Sequence, residues 1–155
     1  MPRARCPIRL LVLATAFLLL EGCSAVTRFE AVTPGTTLTV RGGERMELPR
    51  EVQLDSKATG QHEFVATAPS GKSLFGILPL SVNGGKMAVS ILFFAPALFI
   101  GGFRDVFPFY QMDPDAGLLR YKSGESEDWR LYQPTPAEAD RARLHFDTVG
   151  KPQAR

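Results

Sequence analysis

Cysteine, histidine and tryptophan are scarce in this sequence: 155 residues hold 2 cysteines, 2 histidines and 1 tryptophan. Cys6 lies in a basic flank at the amino end, so removal of that flank leaves Cys23 alone and excludes an intramolecular disulfide. A lone thiol in an oxidising compartment is a liability unless it is modified. His62 and His145 stand in no local metal-ligand spacing, and neither a metal nor another cofactor is expected. A surplus of charge of one sign is missing as well. The chain carries 18 basic and 16 acidic side chains, and loss of residues 1–22 takes away Arg3, Arg5, Arg9 and Glu21, leaving 15 of each. Without a basic stripe to neutralise phosphates, nucleic acid is excluded as a partner.

Long apolar runs are also few. Residues 10–20 form an uncharged run of 11 behind Arg3, Arg5 and Arg9. As a helix this run covers about 16 Å at 1.5 Å per residue, roughly half of a bilayer's hydrocarbon core. Too short to span, it has the order of a cleaved export signal: positive flank, apolar run, small residue before the cut. The expected organisation is a signal peptide at 1–22, a lipidated tether at 23–35, a β-rich domain at 36–133 and a short helix with a tail at 134–155.

The residues Leu20-Glu21-Gly22-Cys23 follow directly on that run and resemble the lipobox of bacterial lipoproteins. Leu20, Gly22 and Cys23 match its pattern, while Glu21 stands where a small uncharged residue is usual. The resemblance implies cleavage between Gly22 and Cys23, a diacylglyceryl group on the Cys23 sulfur, and acylation of the new amino group, as by palmitate. A single acyl chain gives marginal binding, whereas two or more anchor stably at about 0.8 kcal/mol per buried methylene. In Gram-negative lipoproteins Asp after the cysteine favours the inner membrane. Ser24 therefore implies the outer membrane, or the cell membrane of an organism that lacks one.

Beyond residue 35 apolar residues recur with period two, the pattern of half-buried strands. Leu38 and Val40 alternate in 37–41; Met46 and Leu48, then Val52 and Leu54, flank Pro49. Phe64, Ala66 and Ala68 alternate in 62–68, and Leu74, Gly76, Leu78, Leu80 and Val82 in 73–82. Turn residues separate these runs, at Gly42-Gly43, Thr59-Gly60, Ser70-Gly71 and Asn83-Gly84-Gly85. The expected fold is mainly β, a small antiparallel sandwich. Trp129, Leu131 and Tyr132 fit a last strand. Thr135-Pro136-Ala137-Glu138 reads as a capping box with proline at the first helical position, opening a charged helix to about Phe146.

Two further resemblances attach to these residues. Segment 34–42, followed by 48–54, is similar to a PEGA-type repeat, although it lacks the Glu and Ala of that pattern. The likeness implies a small envelope-associated β-module without catalytic residues. Ile100-Gly101-Gly102, Asp113-Pro114, Gly117 and Tyr121 resemble the carboxyl half of some small bacterial lipoproteins.

Residues 87–103, MAVSILFFAPALFIGGF, form an uncharged run of 17 between Lys86 and Arg104. That is the lower limit for a transmembrane helix, and Pro96 would kink one. Three readings stay open: two buried strands broken at Pro96, a hairpin dipping into the lipid leaflet, or a spanning helix. Leu98, Phe99, Phe103 and Phe107 are the membrane contacts expected if the run meets lipid, because aromatic rings favour the lipid–water boundary.

Catalytic patterns are incomplete. Pro69-Ser70-Gly71-Lys72-Ser73 echoes the end of a phosphate loop, but Ala66 stands where its first glycine belongs and a strand pattern follows. Asp113, Asp115 and Gly117 open like a calcium loop without the third ligand, and Gly124 occupies the place of the closing Glu. The leading expectation is therefore a non-enzymatic, lipid-anchored envelope lipoprotein that contacts the membrane through its lipid and an envelope protein or glycan through its β-module. A membrane-inserted accessory subunit of a transport or secretion complex is the alternative. A cell-wall hydrolase using His62, Asp113 and Asp115 is a third, disfavoured because no paired carboxylates are recognisable.

Overall fold

The computed structural model describes residues 24–55, 60–82 and 104–149. Its strands are β1 (Ser24–Ala31), β2 (Thr37–Val40), β3 (Met46–Glu47), β4 (Arg50–Asp55), β5 (Glu63–Thr67), β6 (Ser73–Ile77), β7 (Leu80–Val82), β8 (Arg104–Val106), β9 (Phe109–Asp113), β10 (Leu118–Lys122) and β11 (Arg130–Tyr132). Helix α1 (Pro136–Val149) follows. One sheet runs β11-β10-β9-β1-β4, a second β3-β2-β5-β6, and β7 pairs with β8. Pairing is antiparallel except between β1 and β9, which run parallel with Arg28 opposite Phe109. The fold is the expected mainly β architecture closed by one carboxyl-terminal helix.

Period-two alternation builds the core. The larger sheet sends Phe29, Tyr110, Met112 and Leu119 inward, and the smaller sends Leu38, Val40, Phe64, Ala66 and Leu74 to meet them. Phe29 and Tyr110 stack with ring centroids 5.3 Å apart, the geometry favoured by offset aromatic pairs. On the far side of the smaller sheet α1 packs on β5 and β6. Ala142 is buried there, and the Arg143 guanidinium lies 5.1 Å over the Phe75 ring. Gly76 makes room for the chain entering the helix: a Cβ at this position would come within 2.7 Å of Pro134 and 3.0 Å of Phe64.

Two expectations change. Residues 24–31, read as part of a tether, form β1, an interior strand of the larger sheet between β9 and β4. Its inward residues are Ala25, Thr27, Phe29 and Ala31; two alanines and a threonine make a faint hydrophobic signal, so burial rests largely on Phe29. The run 73–82, read as continuous, breaks after Ile77 into β6 and β7, which belong to different sheets. Pro79 has no N–H for a ladder, and its carbonyl is taken by the Tyr110 hydroxyl. Strands β8, β9 and β10 lie beyond the alternating runs at 37–82; Tyr110 and Met112 carry the alternation of β9, and Leu119 and Tyr121 that of β10.

The capping box forms as read. The Glu138 amide donates to Thr135 Oγ1 at 3.3 Å, and the Thr135 amide donates to Glu138 Oε2 at 2.7 Å. The Tyr132 hydroxyl also donates to Glu138 Oε1, tying β11 to the first turn of α1. Burial pushes the Glu138 carboxyl up, but hydrogen bonds from Tyr132 and Thr135 outweigh it and hold the group below its usual 4.5. A carboxylate with a depressed folded value stabilises above its unfolded value and ceases to as pH falls through the folded one. Replacing Thr135 with alanine is expected to cost about 1 kcal/mol at neutral pH, as for other helix caps. The stability gap between the native chain and Glu138→Gln should shrink as pH falls below 4.5 in urea titrations.

Candidate functional site

Strand β1 defines the two ends of the molecule. At its start Ser24 pairs with Asp55. Residues 104–109 run alongside in the same direction, fixed by the Arg28 amide donating to the Pro108 carbonyl at 2.8 Å and by Thr27 Oγ1 donating to the Phe107 carbonyl at 2.6 Å. Arg104 thus lies level with the start of β1, opposite Val82 across the β7–β8 pair, and its guanidinium donates to the Gly60 carbonyl at 3.1 Å. Ser24, Val82 and Arg104 therefore share one end. Val26 and Val82 are large apolar residues left 61% and 58% exposed near it.

At the opposite end three turns are fastened to one carboxylate. Asp115 accepts from Ser70 Oγ at 2.6 Å and from Thr33 Oγ1 at 3.2 Å, while Lys72 Nζ donates to its backbone carbonyl at 3.3 Å. The eight residues of β1 put about 26 Å between the two ends.

Gly22, Cys23, Leu98, Phe99 and Phe103 lie outside the described residues. Phe107, expected at a membrane surface, is corrected: it is only 8% exposed and packs inward, 4.5 Å from Tyr121 and edge-on to Tyr110 at 6.3 Å. The grip of Thr27 on its carbonyl fixes the backbone there. Phe109 instead faces outward, where Lys122 Nζ sits 5.2 Å from its ring and 4.8 Å from that of Trp129.

The residues considered for hydrolysis are not brought together. His62 is fully buried at the Ser24 end, its Nε2 3.1 Å from the Asp55 carbonyl. Asp113 and Asp115 belong to the other end. There Asp113 accepts from the Ala116 amide at 3.1 Å and pairs with Arg120 at 3.6 Å. His145 packs edge-on to Phe146 on the helix. The segment that echoes a phosphate loop is the β5–β6 turn, closed by the Gly71 amide donating to the Ala68 carbonyl, with Gly71 at a φ of 87°. Among the described residues no group of three His, Cys, Asp or Glu is placed to hold a metal ion, and no helix is long and apolar enough to cross a membrane.

A cleft of about 580 Å³ escaped the sequence reading. It lies between residues 43–47 and β4, where, among the described residues, each of the two larger sheets ends in a strand paired on one side only. Met46, Val52 and Leu54 give it apolar walls, and Glu44, Arg45, Glu47, Arg50 and Glu51 ring it. Among the described residues none of these five has an ion pair or side-chain hydrogen bond, unlike the paired Arg28–Glu30, Arg120–Asp113 and Arg143–Asp140. Their alternating signs were visible in the sequence. That they surround a hollow follows only from the chain reversing at 48–49. No protein family, curated protein or solved structure matches the chain.

Proposed function

We propose that the protein is a non-enzymatic lipoprotein of the cell envelope, exported by residues 1–22, anchored in the outer membrane through lipid on Cys23, and serving as a structural or interaction module. One observation carries the reading: the lipobox-like Leu20-Glu21-Gly22-Cys23 follows directly on the uncharged run 10–20 behind Arg3, Arg5 and Arg9. Strand β1 includes the next residue, Ser24. The lipobox-like residues and the short apolar run before them supply the leader and the acceptor thiol. The charged cleft beside β4 offers a place for an envelope protein to bind, since unpaired strand edges recruit extended peptides.

The test is the intact mass of the protein from membranes of its own host or of a lipoprotein-processing bacterium. A product beginning at Cys23 and heavier than its polypeptide by the acyl groups is expected, partitioning into the detergent phase. Cys23→Ser should accumulate as unprocessed precursor. A Cys23→Ser chain processed and membrane-bound like the parent overturns lipid anchoring, provided that deletion of 87–103 does not release it.

The insertion reading keeps one point in its favour: Val82 and Arg104, which flank 83–103, leave the fold at the same end as Ser24. It predicts that Leu98→Arg abolishes assembly while the β-fold persists; global unfolding would mark the segment as core.

A further inference from the structure

We infer that the end of the fold carrying Ser24, Val26, Val82 and Arg104 is a membrane-docking face, held within the lipid headgroup layer by the absence of any spacer between anchor and sheet. The inference rests on the lipid-anchor reading and adds to it an orientation and a contact surface.

Consecutive Cα atoms are about 3.8 Å apart. Since β1 starts at Ser24, a lipid-bearing Cys23 has a single peptide link before the first sheet residue. The headgroup region occupies the difference between a bilayer of about 40–45 Å and a hydrocarbon core of about 30 Å, or roughly 5–8 Å on each side. Acyl chains on Cys23 must reach into hydrocarbon, so Ser24 cannot stand clear of the headgroups. A flexible tether of a dozen residues would have left the domain free to tumble. As the first strand of a paired sheet, β1 transmits the constraint to its neighbours: it is tied to β4 from Ser24 onward and to residues 104–109 through Thr27 and Arg28.

The surface at this end suits such a position. Val26 lies two residues into β1, about 7 Å along the strand, and points away from the core. Val82 ends β7 opposite Arg104 at the same level. Both valines are more than half exposed to water in the isolated domain, and entry into the interface removes that apolar surface from water. Arg104, half-buried with its guanidinium on the Gly60 carbonyl, puts a positive charge at the same end, the sign that anionic headgroups attract. The turns fastened by Asp115 then project away from the bilayer, about 26 Å along β1.

The test uses the lipidated mature chain in vesicles of phosphatidylethanolamine and phosphatidylglycerol. With Cys6 removed and the Cys23 sulfur alkylated, an introduced cysteine is the only thiol. Fluorophores are placed in Val26→Cys, Val82→Cys and, at the far end, Lys72→Cys. Severalfold stronger quenching by lipid-borne nitroxide at positions 26 and 82 than at 72 is expected, with the reverse order for aqueous iodide. Insertion of 12 Gly/Ser residues between Cys23 and Ser24, a reach of about 17–21 Å, should lower the lipid quenching at 26 and 82 to the level at 72. Equal quenching at all three positions in the acylated native chain, or no effect of the spacer, overturns the inference alone. A chain whose mass shows no acyl group overturns the anchor reading and the inference with it.

Discussion

Replacing Phe29 with alanine is expected to lower the unfolding free energy by about 3–5 kcal/mol, the usual cost of truncating a buried phenylalanine. Phe29 has no exposed surface and stacks on Tyr110 in the middle of the core. Domains of this kind have only about 5–15 kcal/mol in total, so the variant should melt far below the parent or fail to accumulate. The informative control is Val26→Ala, three residues earlier on the opposite face of β1 and 61% exposed. Surface changes away from special features stay within about 0.5 kcal/mol. Urea titrations of the two variants, made in soluble protein beginning at residue 24, decide the matter. A large loss at 29 with none at 26 identifies β1 as a core strand. Indifference at both positions would return residues 24–31 to the status of a tether, and the docking geometry would fall with it.

The second large effect is expected from Tyr110→Phe, although only one oxygen is removed. The Tyr110 hydroxyl donates to the Pro79 carbonyl and accepts from the Phe107 amide at 3.0 Å, joining the break between β6 and β7 to the bend between β8 and β9. Each buried polar group left without a partner costs about 1–3 kcal/mol, so losing both bonds should cost about 2–6 kcal/mol. Tyr121→Phe serves as comparison, since Tyr121 is half-buried and has no side-chain hydrogen bond among the described residues. Burial also drives the Tyr110 hydroxyl far above its usual value of 10.0. A raised folded value means that the contribution is complete below the unfolded value and declines as pH rises beyond it. Stability should therefore fall above pH 10, and part of that fall should vanish in Tyr110→Phe; the remainder includes Tyr132, which burial and the Glu138 carboxylate also push upward.

Local chemistry made some elements legible and tertiary context hid others. Thr135-Pro136-Ala137-Glu138 names its own structure because a cap needs only a short-range hydroxyl and carboxylate, and the box forms as read. Strands β2 and β5 were legible because Leu38, Val40, Phe64 and Ala66 alternate against polar neighbours. Strand β1 was hidden because small residues at 25, 27 and 31 bury little area, and because a segment following a lipid-bearing cysteine is expected to be a linker. The inward turn of Phe107 was equally hidden. Phe103, Phe107, Phe109 and Tyr110 look alike as a cluster, and only the pairing of residues 107–109 with β1 assigns Phe107 and Tyr110 to the core and Phe109 to the surface. The charges around the cleft are legible in the sequence but the hollow is not, since residues 43–47 and 50–54 line it together only after the chain reverses at Leu48-Pro49.

The sequence alone determined what depends on order and spacing along the chain, above all the alternation that makes a mainly β fold; the export leader and the acceptor thiol that we propose rest on the same kind of local pattern. Tertiary structure decided whatever depends on two distant segments lying side by side. It brought Ser24, Val82 and Arg104 to one end and the Asp115 turns to the other, and it separated His62 from both aspartates. The physical reason is that period two fixes which face of a strand is apolar, whereas the neighbour, direction and level of each strand are set by backbone pairing and by how the two apolar faces fill the space between them.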